Sequence, residues 1–190
     1  MFRLDFPFDT LENDSSVIFA LDEDLRLTYC NPEWDRFAWK NGGKTLRTPA
    51  PVGRDVLDSI SGPLRKYYES AYRGILRIRE PWEHLYECSS ASVFRKFFMQ
   101  VLPMKMDSGL LVVNSLRVER PHEMPSCRPL DEIYRNDEGM ILMCSHCRRT
   151  RRNGPSTDLW DWVADYVARL PAGVSHGLCP ICMEYYYPSI

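Results

Sequence analysis

The chain has 190 residues, 44% of them hydrophobic and 12% aromatic, enough for one ordinary domain with a small appendage and too much for a disordered chain. Its formal net charge of −2 makes no general electrostatic case for nucleic acid or an anionic membrane. The longest apolar runs, such as Leu110 to Val113, are far too short to cross a bilayer.

Residues 1–14 alternate aromatic and acidic side chains around Pro7 and read as a leader that packs on the domain after it. Acids and a proline stand where a secretory signal needs an apolar core, so a cytoplasmic protein is expected. Val17 to Leu21 is a β-type run closed by the turn-forming Asp22-Glu23-Asp24. Leu25 to Cys30 then alternates, with Leu25, Leu27 and Tyr29 on one face, and the two runs read as a hairpin. Asn31-Pro32-Glu33 opens a helix: Asn caps the orphan amides, Pro fits the first helical position, and Glu meets the positive end of the dipole. That helix runs through Trp34, Phe37 and Ala38 and ends near Asn41-Gly42-Gly43.

A proline-containing loop covers 44–51, and 53–60 has room for one helical turn. From Gly62-Pro63, the residues Leu64, Tyr67, Tyr68, Ala71, Tyr72, Ile75 and Leu76 keep the i, i+3, i+4 rhythm of a helix laid on a sheet. Three strands follow. Trp82, His84, Tyr86 and Cys88 alternate on one face of the first, toward the tyrosine-striped helix. Phe94 to Leu102 forms the second, Lys105 to Ser108 turns the chain, and Gly109 to Leu116 has the continuous apolar run of a buried strand. This succession predicts an α+β domain with helices on one face of an antiparallel sheet.

The sequence Phe19-Ala20-Leu21-Asp22, Leu25 to Tyr29 and Asn31-Pro32-Glu33-Trp34-Asp35-Arg36-Phe37 resembles the start of a PAS domain, where a first hairpin runs into an Asn-Pro-capped helix. The tyrosine-rich helix and the strands ending at Leu116 are similar to PAS order and length, and Trp82 to Ser90 is similar to a segment of some bacterial PAS sensors. The resemblance spans about residues 15–120 and implies a PAS-like sheet, a sensory role, a tendency to form homodimers and a pocket for a small-molecule ligand of unknown identity. Trp82, His84, Tyr86 and Cys88 are the pocket candidates. His84 and Cys88 could each bind haem iron. Haem-binding PAS proteins generally take that ligand from the helix, where this chain has no His between 61 and 80, so core filling is the favoured role.

Residues 121–138, with prolines at 121, 125 and 129, read as a linker with a short helical piece around Leu130 to Tyr134. Residues 139–190 form the appendage. Met140 to Met143 is strand-like and leads into Cys144-Ser145-His146-Cys147; Arg148 to Arg152 is a basic run. Ser156 or Thr157 can cap a helix carrying Leu159, Trp162, Val163, Tyr166, Val167 and Leu170, and Ser175-His176-Gly177-Leu178 delivers the chain to Cys179-Pro180-Ile181-Cys182.

Two C-x-x-C pairs offer four soft ligands, and Zn²⁺ satisfies a tetrahedral thiolate set without redox chemistry of its own. An Fe–S cluster uses the same residue type but usually tighter ligand runs. A thioredoxin-like site needs a C-x-x-C opening a helix, a setting expected for neither pair. The favoured reading is a closed structural zinc site of Cys144, Cys147, Cys179 and Cys182, with His176 as an outer-shell neighbour and His146 exposed in the knuckle. The basic run could grip phosphates, but Asp158, Asp161 and Asp165 return on the next helix, so nucleic-acid binding is disfavoured. The paired cysteines, Ser175-His176-Gly177 and the closing Tyr186-Tyr187-Pro188 also resemble a small cysteine module found after PAS domains in bacterial signalling proteins.

No Ser-His-Asp order, phosphate loop, H-E-x-x-H or kinase signature occurs. The expectation is a non-enzymatic sensory protein acting through protein partners. A nucleic-acid-binding regulator and a redox or haem sensor are the alternatives.

Overall fold

A computed structural model describes residues 7–105, 108–154 and 159–188. The chain separates into two compact units. The first comprises Met1–Ile60, Arg65–Leu85 and Phe97–Leu116; the second comprises Ser61–Leu64, Tyr86–Lys96 and Arg117–Ile190. No helix among the described residues is long and apolar enough to cross a membrane.

The elements begin with α1 (Phe8–Glu12), β1 (Val17–Leu21), β2 (Leu27–Cys30) and α2 (Pro32–Lys40). They continue with α3 (Pro63–Ile78), β3 (Trp82–Glu87), β4 (Val93–Pro103) and β5 (Leu110–Pro121). Five strands form one sheet in the order β2-β1-β5-β4-β3. This is the expected α+β arrangement. β1 pairs antiparallel with β2 (Phe19 opposite Cys30) and with β5 (Phe19 opposite Val112), which buries it in mid-sheet and accounts for its unbroken apolar sequence. The hairpin differs from expectation at Leu25, which turns left-handed (φ 62°) rather than extending the strand. Asp22 directs that turn: its carboxylate accepts the amides of Asp24 at 3.0 Å and Arg26 at 2.8 Å.

The sheet alternates its two faces. On one, Phe37 of α2 meets Phe97 edge-on at 5.6 Å, Trp34 meets Phe19 at 5.5 Å, and the buried Tyr72 of α3 sets its hydroxyl against the Met99 sulfur. On the other, α1 places Leu11 among Ile18, Ala20, Met104 and Leu111. The described part of the leader thus packs on the domain. Gly109 lies where β5 enters the sheet; a Cβ there would overlap the Leu21 carbonyl oxygen and reach 2.7 Å from the Met104 methyl. Gly109→Ala should cost about 1–3 kcal/mol through forced backbone displacement. Gly74→Ala, in open space on α3, should stabilise by about 0.5–1 kcal/mol. Urea unfolding of the two variants checks both signs.

The second unit adds α4 (Asp131–Tyr134), β6 (Ile141–Cys144), β7 (Thr150–Arg151), β8 (Trp160–Asp161), α5 (Ala164–Ala168), β9 (Val174–Gly177) and α6 (Pro180–Tyr186). Its four-stranded sheet has the order β8-β7-β6-β9, and Tyr134, Ile141, Met143, Val163 and Tyr166 form its core. The helix expected from 159 to 170 is corrected here. Trp160 and Asp161 pair with Arg151 and Thr150 as a strand, leaving five helical residues. Arg152 holds Asp161 at 2.5 Å and the Tyr134 hydroxyl holds it at 2.8 Å, so long-range pairing overrides the local helical rhythm. Trp162, Val163 and Tyr166 are buried as the stripe predicted, whereas Leu159 and Leu170 are exposed. The expected caps Ser156 and Thr157 lie outside the described residues.

Candidate metal centre

The register of the second unit delivers the two cysteine pairs to one place. β6 and β9 run parallel with Cys144 opposite Gly177, and the Ser145 amide bonds the Gly177 carbonyl at 2.8 Å. β7 folds back on β6: the Cys144 amide bonds the Arg149 carbonyl, and the Arg148 amide returns to Cys144 O, closing the first knuckle. Gly177 then leads through Leu178 to Cys179, which caps α6 with Pro180 in its first turn. The second pair therefore does open a helix, contrary to expectation. Cys179 and Cys182 are both buried against Cys144 rather than presented to solvent as a reactive dithiol.

The ligand atoms of Cys144, Cys147, Cys179 and Cys182 all lie within 4.8 Å of one another. Each cysteine is a free thiol. A tetrahedral zinc site with Zn–S of about 2.3 Å requires sulfur–sulfur edges of about 3.8 Å; Cys147 Sγ and Cys179 Sγ stand 3.7 Å apart. The donors around them suit anionic sulfur. The Cys179 amide points at Cys144 Sγ and the Cys182 amide at Cys179 Sγ, both at 3.4 Å. Trp160, packed against the cluster, buries an indole N–H that has no acceptor. Hydrogen bonds from Cys147, Cys179 and Cys182 hold the Cys144 thiol far below the ordinary thiol range. Those from Cys144, Cys179 and Cys182 push Cys147 up. Cys179 is also shifted down and Cys182 up by their cysteine neighbours, and a dication among the sulfurs would let all four ionise.

His146 corrects a second expectation. It is buried, with Nε2 accepting the Glu87 amide at 3.1 Å and Nδ1 at 2.8 Å from the Tyr187 hydroxyl. Accepting through Nε2 places the proton on Nδ1, so the ring donates to Tyr187. Tyr186 stacks on it at 4.1 Å. Knuckle, C-terminal helix and the end of β3 are thus tied through one imidazole. His176 sits on β9 opposite Met143, half-buried and outside the four-sulfur group. In the basic run, Arg152 is engaged by Asp161, and Thr150 is fully buried.

In the first unit His84 is buried in a cage of aromatic rings: stacked on Trp82 at 5.3 Å and facing Tyr67 and Tyr68 at 5.5 and 5.9 Å. Burial lowers its pKa from 6.5 to about 4. The unfolded chain therefore binds the extra proton between pH 6.5 and about 4, and stability must fall as pH drops through that window. The loss attributable to His84 is at most about 3 kcal/mol. Urea midpoints at the two ends of the window should converge in His84→Gln relative to the unaltered chain. Tyr86 and Cys88, the other pocket candidates, belong to the second unit and are each half-buried. Burial raises the Cys88 thiol, and it pushes buried Cys30 up to about 12, which keeps that thiol protonated.

No protein-family model matches the chain, and no curated protein does. Among solved structures, the chain is similar to the PAS domain of the Cronobacter turicensis RpfR quorum-sensing receptor, solved in complex with C12:0. That match has 16% identity and TM-score 0.44, covering 56% of this chain and 97% of that one. It is also similar to the PAS domain of Bordetella pertussis BvgS, at 16% identity and TM-score 0.46, covering 59% of this chain and 84% of that one. The PAS domain of nitrogen regulation protein NR(II) from Vibrio parahaemolyticus matches at 13% identity and TM-score 0.34, covering 57% and 95%.

Proposed function

We propose that this is a non-enzymatic sensory or signalling protein, a PAS-like domain coupled to a structural zinc module, working through protein partners in the cytoplasm. The observation that carries the zinc assignment is the four-sulfur group. Separations within 4.8 Å suit one ion held by four thiolates and leave little space for a polynuclear iron cluster. Cys144, Cys147, Cys179 and Cys182 would be the ligands. Zinc in a closed Cys₄ set supplies folding energy and no open coordination position for chemistry. The sensory half rests on element order: hairpin, Asn-Pro-capped helix, tyrosine-striped helix and three strands.

Elemental analysis of protein purified without chelator, with thiols kept reduced, tests the assignment. About one zinc per chain is expected, with no visible absorbance and loss of metal in Cys144→Ser or Cys179→Ser. Absence of metal, or a coloured iron chromophore, would overturn it.

A further inference from the structure

A cavity of about 240 Å³ lies within the second unit, on the face of its sheet turned away from the core. We propose that it binds a small zwitterion, an α-amino acid with an apolar side chain. The volume is just below the range of drug-sized sites and suits a ligand of amino-acid size. Strand register builds the floor. β6 buries Ile141 and Met143 in the core, so Leu142 between them points the other way. Leu142 stands opposite Ser175 of β9, and Met143 opposite Thr150 of β7, which sets Arg151 on the other flank of Leu142. Arg151, Leu142 and Ser175 thus make one row across three strands, and all three line the cavity. The loops around it are held by side-chain bonds. Asn136 Oδ1 accepts the Glu138 amide at 3.1 Å and the Met140 amide at 2.8 Å, fixing the turn that carries Glu138. Asn153 Nδ2 donates to the Arg135 carbonyl at 2.8 Å, fixing the segment after β7.

The charges select the ligand. One cation, Arg151, and one anion, Glu138, line the space, so the lining is neutral. Among the described residues neither has an opposite charge within ion-pair distance, the other one included. The flanking charges are already engaged: Arg135 with Asp131 at 3.0 Å and Arg152 with Asp161 at 2.5 Å. A ligand with a net charge would meet one of the two free groups and be repelled by the other. A zwitterion satisfies both, its carboxylate on the planar guanidinium fork of Arg151 and its ammonium on Glu138. Leu142 and Met140 then cover the apolar side chain. Glu138 is exposed, so water screens its share of the attraction and the affinity is modest. This reading does not depend on which metal the sulfurs hold.

L-Leucine is the probe, titrated into the full-length ¹⁵N-labelled protein as purified, with its metal content recorded. A ligand of this size should bind with Kd on the order of 1–10 mM. Shifts should concentrate at Glu138, Leu142, Arg151 and Ser175. Arg151→Gln should weaken binding at least about tenfold, and Glu138→Gln should weaken it measurably, with metal content and remote resonances unchanged. On the unaltered protein, N-acetyl-leucine, which lacks the ammonium, and leucinamide, which lacks the carboxylate, should each bind more weakly than leucine. That comparison needs no folded variant. Leucine shifts that are absent, lie elsewhere or persist undiminished in Arg151→Gln would overturn the site. Equal binding of N-acetyl-leucine or of leucinamide would overturn the zwitterion assignment.

Discussion

Replacing Asn31 by Ala should destabilise the protein by about 3–5 kcal/mol, a large share of the 5–15 kcal/mol that holds a domain of this size together. The side chain is buried, and its amide has four partners. Oδ1 accepts the Ile18 amide at 3.0 Å and the Trp34 amide at 3.1 Å; Nδ2 donates to Leu11 O at 3.2 Å and Ser16 O at 2.9 Å. One residue thus caps α2, extends the edge of β1 and anchors the segment after α1. Truncation leaves the Ile18 amide and the Leu11 and Ser16 carbonyls without their side-chain partner, while the Trp34 amide keeps the Asn31 backbone carbonyl at 3.1 Å, still a larger loss than the ~1 kcal/mol of an ordinary N-cap. Asn31→Asp separates the two roles. Aspartate caps a helix as well as asparagine does, but it cannot donate to Leu11 and Ser16 and sets a charge against their carbonyls. Urea unfolding should find Asp nearly as damaging as Ala; an Asp variant close to the parent would reduce Asn31 to a simple cap.

Asn31 also marks how far the sequence could be read. Its cap was legible because a cap is local: Asn, then Pro, then Glu, at the start of an apolar rhythm. Its bonds to Leu11 and Ser16 were not, because they depend on a leader folding back across the sheet. The same division holds in the tail. Four cysteines were legible because ligand chemistry constrains residue type and spacing, and the structure brings those four together. His146 looked exposed inside a knuckle because its partners, Glu87 and Tyr187, lie 59 and 41 residues away. The stripe after Leu159 named the right buried residues but the wrong element, since two of its residues find a strand partner at Thr150 and Arg151. One available signal was missed: Pro180 directly after Cys179 is the first-position proline that announces a helix.

On the proposed zinc assignment, removing the metal should unfold much of the second unit. Its named helices and its own sheet strands are two to seven residues long, below what stands alone in water. Its apolar core is a handful of side chains around Tyr134 and Tyr166. Apparent zinc binding in small modules, about 10–16 kcal/mol, exceeds anything that core can supply. With a chelator and reductant present, hydrogen exchange should lose protection across Ile141–Cys144, Val174–Gly177 and α6. Ile18 and Val112, in the mid-sheet pairing of β1 with β5, should keep theirs. Added zinc should restore the lost protection, and cadmium should restore it with an ultraviolet sulfur-to-metal band. Each of the four Cys→Ser substitutions should reproduce the chelated state, since an incomplete tetrahedron leaves buried thiols that repel or protonate rather than bind. His146 extends the effect to β3, because its ring is positioned by Cys144 and Cys147 and accepts the Glu87 amide. Exchange at Glu87 should therefore rise together with that of the knuckle. Unchanged protection in metal-free protein would mean that packing alone holds the unit, and the zinc clasp would be redundant.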